Sequence, residues 1–159
     1  FLKKINLKYI VLCENLSISE IHTAGIPDNI MKTLILDIKF NEKYFKRVLH
    51  HEVFHIIYLQ HRKIFDEGEW TKFNNSKFKY AECSTCTKNI GLKKYEKTKG
   101  FFTEYSMSTA SEDMAEVYSH MIHLKKKEIN QIRKLDSILN NKISYIENKI
   151  KQIDDSFTF

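Results

Sequence analysis

Two histidines and a glutamate stand at a spacing that can bind a metal ion and activate water. Residues 51–55 read His-Glu-Val-Phe-His. On an α-helix, positions i and i+4 lie one turn apart on the same face, so His51 and His55 can bind one ion together. Glu52 lies beside the first histidine, where its carboxylate can reach a water held on that ion. The pattern predicts hydrolysis by a metal-activated water, with zinc as the ion and Glu52 as the general base.

This motif needs a helix with an apolar flank, and residues 42–60 predict one. The stretch contains no Gly or Pro, and its apolar residues recur at helical spacing. Asn41 is the predicted N-cap, because its side chain can accept from the N–H groups of the first turn. Residues 32–40 predict a strand. In zinc peptidases, a strand just before the metal helix often forms the sheet edge along which an extended substrate pairs. We expect that placement here by analogy.

A tetrahedral catalytic zinc needs three protein ligands and one open position, so a third ligand is required. His61 lies ten residues after His51, which is the spacing of the metzincin pattern H-E-x-x-H-x-x-G-x-x-H. That pattern has a glycine where this chain has Tyr58, and a tyrosine is strained in the sharp turn that the glycine allows. Met107 would then be the methionine of a Met-turn. His61 is therefore the less favoured of two candidates.

The favoured candidate lies at the start of a helix predicted over residues 111–121. Thr109 or Ser111 can cap this helix. Glu112 and Glu116 share one face at i and i+4, and two like charges there repel each other unless a cation compensates. A zinc ion with its histidine ligands would compensate. We therefore expect Glu112 to be the third ligand and Glu116 to orient a ligand histidine through its other ring nitrogen. The alternative is a solvated acidic helix start.

The two motifs together resemble a known family. Residues 51–55 (HEVFH), followed by residues 112–116 (EDMAE), are similar to zinc-binding metallopeptidases of the glutamate-third-ligand, or gluzincin, type. These are related to the catalytic domain of anthrax lethal factor and to secreted Pro-Pro endopeptidases. The resemblance covers roughly residues 25–122. It implies one Zn²⁺ per chain and a hydrogen bond from Tyr105, seven residues before Glu112, to the developing oxyanion.

This resemblance implies a zinc-dependent peptidase, and we expect an endopeptidase acting on a peptide or protein substrate. The implied fold is an α+β, zincin-like domain with a small N-terminal sheet, a metal-binding active-site helix and a helical C-terminal part. Two other classes stay open. One is a catalytically degenerate zincin-like domain that binds a peptide or protein partner without cleaving it. The other is a basic helical interaction module whose histidines are incidental.

Length and composition fit a single compact catalytic domain with a helical extension. The chain has 159 residues and a net charge of +6, and it lacks Gly-rich phosphate loops and a G-x-S-x-G stretch. Its basic residues are spread among acidic ones apart from Lys125–Lys127, so we expect no nucleic-acid partner. No apolar run approaches twenty residues, so we expect no membrane span. We assign residues 1–124 to the catalytic domain and residues 125–159 to a Lys-rich amphipathic extension packed on it.

The C-terminal third predicts helix throughout, with an apolar seam at coiled-coil spacing formed by Leu139, Ile143, Ile146, Ile150 and Ile153. The seam is shorter than three heptads. It favours one amphipathic helix, or two helices broken near residues 125–128, folding back on the catalytic domain. A dimer through the seam is the alternative.

The cysteines and the first residue are the features of the sequence that could indicate the cellular location of the protein. Cys83 and Cys86 form a lone C-x-x-C, which fits a local disulfide or two plain thiols, and Cys13 follows an apolar run and is expected to be buried. The chain begins with Phe1, so the lack of a signal peptide carries no information. The resemblance leans toward a secreted or extracytoplasmic location.

Overall fold

Residues 4–18, 20–40, 44–86, 91–93 and 98–159 are described by a computed structural model of the protein. Short strands come first along the chain and helices follow, which confirms the predicted α+β class. The strands are β1 (Tyr9–Cys13), β2 (Ser17–Ile18), β3 (Ile21–His22), β4 (Gly25–Asp28) and β5 (Thr33–Asp37). The helices are α1 (Phe45–Gln60), α2 (Glu67–Thr71), α3 (Ala110–His123), α4 (Lys126–Leu135) and α5 (Ser137–Ile153), with a 3₁₀ turn at Tyr105–Met107.

The strand that precedes α1 lies at the centre of the main sheet and not at its edge. The strand order is β1-β5-β4, with β1 parallel and β4 antiparallel to β5. The side chains of Leu34 and Leu36 on β5 are fully buried, which is why this strand takes the central place. The expectation that residues 32–40 form an edge strand is therefore wrong. The edge strand that packs on α1 is β4.

The run that precedes Cys13 is exposed on the other edge of the sheet. All four of its large apolar side chains are at least 45% exposed, and Cys13 itself is half-buried. The expectation that Cys13 is buried is wrong because β1 forms the outer edge of the sheet, and none of the described helices packs closely on this strand. The β2–β3 pair forms a separate small hairpin.

The first long helix begins at Phe45 and ends at Gln60, within the stretch that the apolar spacing predicts. The proposed cap Asn41 lies outside the described residues. The core-facing side of α1 buries Val53, Phe54 and Ile57. This face packs against α3, so the two helices that carry the candidate site are held side by side.

The second site helix, α3, begins where the sequence predicts. The side-chain hydroxyl of Thr109 accepts from the backbone N–H of Glu112 and caps the helix. The helix ends at His123, and α4 begins at Lys126, so the predicted break near residues 125–128 is confirmed. A second break at Asp136 is not predicted. The Asp136 carboxylate caps α5 by accepting from the first-turn N–H groups of that helix.

The apolar seam of the C-terminal third packs inside the chain. The side chains of Leu139, Ile143, Ile146 and Ile150 are buried in the core, and α5 packs on α3 and α4. The structure therefore supports the interpretation in which this region folds back on the rest of the chain. A search of the described helices finds none that combines the length and the apolar character needed to cross a membrane.

Candidate metal centre and active site

Helices α1 and α3 bring together three side-chain atoms that could bind a metal ion. The Nε2 atoms of His51 and His55 lie 3.1 Å apart on one face of α1. Glu112, in the first turn of α3, places its Oε2 2.9 Å from Nε2 of His51 and 3.1 Å from Nε2 of His55. Within the described ranges, this trio is the group of His, Cys, Asp and Glu residues whose ligand atoms converge.

The spacing of these atoms fits a zinc ion. Ligand atoms about 2.0–2.1 Å from a tetrahedral zinc lie about 3.3 Å from one another, close to the separations in this trio. Two imidazoles and one carboxylate are also a donor set that catalytic zinc uses, and they leave a fourth position for water. The residues therefore fit the ion that the sequence motif predicts.

A buried carboxylate sets the orientation of His51. Oε1 of Glu116 lies 2.9 Å from Nδ1 of His51. Its other oxygen accepts from the Arg47 guanidinium and, at 2.7 Å, from the hydroxyl of Thr103. Because Glu116 is held as an anion, Nδ1 of His51 carries the proton and donates, and Nε2 points toward the other ligand atoms.

The charges of this cluster favour a bound cation. Burial disfavours the charged forms, yet hydrogen bonds from His51 and the charge of Arg47 lower the pKa of Glu116 to about 2. Burial alone would raise the pKa of Glu112, but the neighbouring His55 and His51 hold it well below its usual range. Conversely, burial opposes a charge on His51, but Glu112 and Glu116 raise the pKa of this imidazole to about 10. Without a metal, a proton on His51 therefore provides the compensating positive charge, and a zinc ion would replace that proton.

Glu52 lies on the same turn of α1 as His51 and has an environment suited to a base. Burial is the largest influence and raises the pKa of this carboxyl, which moves it toward the neutral range where a general base works. Its side chain lies directly against the backbone of edge strand β4. A methyl group at Gly25 would lie 2.6 Å from Cγ of Glu52, so the strand passes the carboxylate at a distance that only glycine permits.

Tyr105 starts the 3₁₀ turn just before α3 and faces the same cluster. Its ring centroid lies 5.9 Å from that of His51. Burial, followed by the charges of Glu112 and Glu52, raises the pKa of the Tyr105 hydroxyl. The hydroxyl therefore keeps its proton at neutral pH and is available as a donor.

The other candidate ligand lies apart from this cluster. His61 is the C-cap residue of α1, and its ring is not part of the converging group. Tyr58 is buried in the core and continues the helix, so the chain makes no sharp turn at the position of the metzincin glycine. The geometry gives no support to the metzincin arrangement, or to Met107 as part of a Met-turn.

Three residues that border the cluster are not predicted by the sequence pattern: Arg47, Thr103 and Gly25. Arg47 lies one turn before His51 on α1, so a helical projection could have placed it near Glu116. Thr103 and Gly25 come from a loop and from an edge strand. Their proximity depends on tertiary structure, and no local spacing reveals it.

The model of a family described as putative zinc-binding metallo-peptidase matches residues 1–155. The chain belongs to this family. The match extends well beyond the stretch in which the two motifs lie, and it includes α4 and α5. The chain is therefore a member of a zinc metallopeptidase family along almost its whole length.

A solved structure adds support for the fold. It is described as a putative zinc-binding metallo-peptidase from Bacteroides caccae ATCC 43185, and it is similar to this chain with a TM-score of 0.52 at 18% identity. The similarity covers 76% of this chain and 48% of the other, so the chain spans about half the length of that relative. A search of curated proteins gave no match.

Proposed function

We propose that the chain is a zinc-dependent endopeptidase with one Zn²⁺ held by His51, His55 and Glu112. The convergence of these three ligand atoms is the observation that carries the proposal. Family membership supports it independently, because the family is described as zinc-binding and peptidase-like. Glu116 orients His51, so the ligand set has the outer support that metal-binding histidines usually have.

In this proposal, the work of each side chain follows from its position. Zinc, when bound, polarises a carbonyl and lowers the pKa of a coordinated water. Glu52, next to His51, accepts a proton from the attacking water and then delivers it to the leaving amine. Tyr105 keeps its hydroxyl proton and donates a hydrogen bond to the oxyanion that develops on the substrate.

Edge strand β4 is the proposed platform for the substrate. It is antiparallel to β5 and packs on α1, and Gly25 lies against the side chain of Glu52. A peptide that pairs with this edge in extended form passes directly by the general base. Such pairing uses main-chain hydrogen bonds along the middle of the substrate and does not require a free N- or C-terminus of the substrate. For this reason we propose an endopeptidase.

The compartment is part of the proposal as well. A disulfide joins Cys83 and Cys86. Disulfides persist in oxidising compartments and are rare in the cytosol. This bond supports a secreted or extracytoplasmic location for the enzyme.

The test is cleavage of a random peptide library by the zinc-loaded protein, read by mass spectrometry. Wild type should cleave, and Glu52→Gln should keep its zinc but lose turnover, because an amide cannot accept the proton of water. The exposed Glu82→Gln variant is the matched control and should retain full activity. A Glu52→Gln protein with wild-type activity would contradict the mechanism. Zinc-loaded wild type that binds peptides without cleaving any would identify a degenerate, binding-only domain.

A further inference from the structure

Strand β1 has the properties of an interface and not of a solvated surface. Tyr9, Ile10, Val11 and Leu12 follow one another on this strand, and each is 45–62% exposed. Edge strands of folded proteins usually carry charges, prolines or bulges that discourage pairing. The strand itself has none of these, and within the described residues it pairs only with β5. Its other edge therefore offers both apolar side chains and free main-chain groups.

The hydrogen bonds to β5 establish which main-chain groups are free. The Lys32 carbonyl accepts from the N–H groups of Lys8 and Tyr9 at the start of the strand, and the carbonyl of Cys13 accepts from the N–H of Ile38 at its end. Main-chain groups alternate in direction along a strand. Tyr9, Val11 and Cys13 therefore face β5, while the N–H and C=O groups of Ile10 and Leu12 point away from the sheet.

These directions restrict how a second strand could pair. In an antiparallel ladder, two opposed residues exchange both N–H···O bonds when their main chains face each other. If two copies of β1 are centred on Val11, Ile10 of each copy lies opposite Leu12 of the other, and both residues present outward main-chain groups. The two Val11 side chains then meet on the two-fold axis.

The charged residues beside β1 favour the antiparallel register centred on Val11 over registers shifted along the strand. The exposed residues that flank the strand are Lys8 on one side and Glu14 on the other. Centring on Val11 places Lys8 of each copy opposite Glu14 of the other, so both ends of the ladder carry opposite charges. A register shifted by two residues in either direction loses this match and leaves one end of each strand unpaired.

We infer that two copies of this chain associate through antiparallel pairing of β1, which joins their three-stranded sheets into one continuous sheet. The arrangement is isologous and closed, as most homodimers are. Strands β1 and β4 lie on opposite edges of the sheet, so the dimer leaves β4 and the candidate metal centre accessible. The inference does not depend on the proposed peptidase activity.

Sedimentation velocity at physiological ionic strength and over a range of protein concentrations tests the inference. Wild type should be a dimer that dissociates on dilution. Leu12→Pro removes an outward N–H that the described part of the monomer does not pair, so it should give a folded monomer with unchanged circular dichroism. Ile30→Thr is the control, because Ile30 is 90% exposed but lies in the turn between β4 and β5, away from the proposed contact. This variant should remain a dimer.

A charge exchange tests the register and stays informative if Leu12→Pro fails to fold. Lys8→Glu alone and Glu14→Lys alone each place like charges at both ends of the ladder, so each should weaken the dimer about tenfold. The double variant restores opposite charges and should recover the wild-type dissociation constant. Loss of the ion pair between Glu14 and Lys39 within one chain matters little, because that pair is exposed. A monomeric wild type, or a dimer that is indifferent to all of these changes, would overturn the inference.

Discussion

Glu116 determines how His51 can act. Because its carboxylate accepts from Nδ1, it directs the Nε2 lone pair of His51 toward the candidate metal position. Arg47 and Thr103 hold the same carboxylate from the other side. The orientation of one ligand thus depends on a chain of buried contacts that runs from α1 to α3 and to the loop before it.

Gly25 should matter for catalysis and not for metal binding. In Gly25→Ala, the new methyl group would overlap Cγ of Glu52 and displace this proposed general base, while the histidines keep their positions. A displacement of about 1 Å can reduce turnover about a hundredfold, so we expect kcat to fall by that factor with zinc content unchanged. Steady-state kinetics and metal analysis measure the two effects.

The matched control is Gly68→Ala at the start of α2, where the added methyl meets only the Asp66 carboxylate. This variant should retain wild-type kcat. A Gly25→Ala enzyme with normal turnover would show that Glu52 is not confined by β4. Loss of zinc from that variant would place Gly25 in the architecture of the metal site instead.

The sequence reveals the spacing of the candidate ligands along their helices. It does not reveal which residues from other parts of the chain surround them. The i, i+4 pair His51 and His55 and the acidic pair Glu112 and Glu116 can be read from helical periodicity alone. The two pairs are far apart in the sequence, with His55 and Glu112 separated by 57 positions, and they meet only because α1 packs on α3. The closeness of Gly25 to the site likewise depends on sheet order, which no local pattern encodes.

Helix α5 is tied to α3 by a fully buried ion pair. Nζ of Lys142 lies 2.6 Å from Oδ2 of Asp113, and neither side chain is exposed to solvent. The same oxygen accepts from the indole N–H of Trp70 on α2 and from the hydroxyl of Tyr80 in the segment that follows α2. Both parts of the chain are therefore hydrogen-bonded to α3. Asp113 follows Glu112 directly, and this network therefore fixes the first turn of the helix that carries the proposed third ligand.

Lys142→Met should be strongly destabilising, because removing one partner of a buried pair leaves the other charge uncompensated. We expect a loss of about 3–5 kcal/mol in the free energy of unfolding, measured by urea titration. The control is Lys149→Met on the same helix, whose partly exposed pair with Glu69 should contribute less than about 1 kcal/mol. Equal losses in the two variants would contradict a structural role for the buried pair.

His120 on α3 should make stability depend on pH. Burial is the main cause that lowers the pKa of this imidazole to about 4 from its ordinary value of 6.5. Between pH 4 and pH 6.5, His120 is therefore protonated in the unfolded chain but remains neutral in the folded chain. Stability from this group is complete above pH 6.5 and is lost as the pH falls toward 4.

Comparison with His120→Gln isolates this contribution. The wild-type free energy of unfolding should fall by about 3 kcal/mol more than that of the variant between pH 7 and pH 4. Urea titrations at a series of pH values measure the difference. Parallel pH profiles for the two proteins would show that His120 titrates normally in the folded state.

At the element scale, helices are more predictable than sheet order. The apolar spacing locates α1, and the hydroxyl of Thr109 locates the start of α3, because both signals are local. The cap at Asp136 is also a local signal. It is hard to recognise, because the residues on both sides of it favour helix and include no Gly or Pro. The central place of β5 depends on β1 and β4, which lie on either side of it and come earlier in the chain.

At the scale of the whole molecule, we propose that residues 1–124 form the catalytic domain and residues 125–159 an extension packed on it. The seam of α5 is buried in the core, and the pair of Lys142 with Asp113 crosses this boundary. The family match also runs through both parts, to residue 155. The extension thus buries the outer side of the helix that carries Glu112.

The zinc content of the purified protein shows whether His51, His55 and Glu112 are the ligands of one ion. We would measure zinc per chain in purified wild type, Glu112→Ala and His61→Ala, after zinc is added back and excess is removed. This ligand set predicts one zinc per chain in wild type and in His61→Ala, and none in Glu112→Ala. Loss of zinc with His61, or a wild-type protein that binds none, would contradict it.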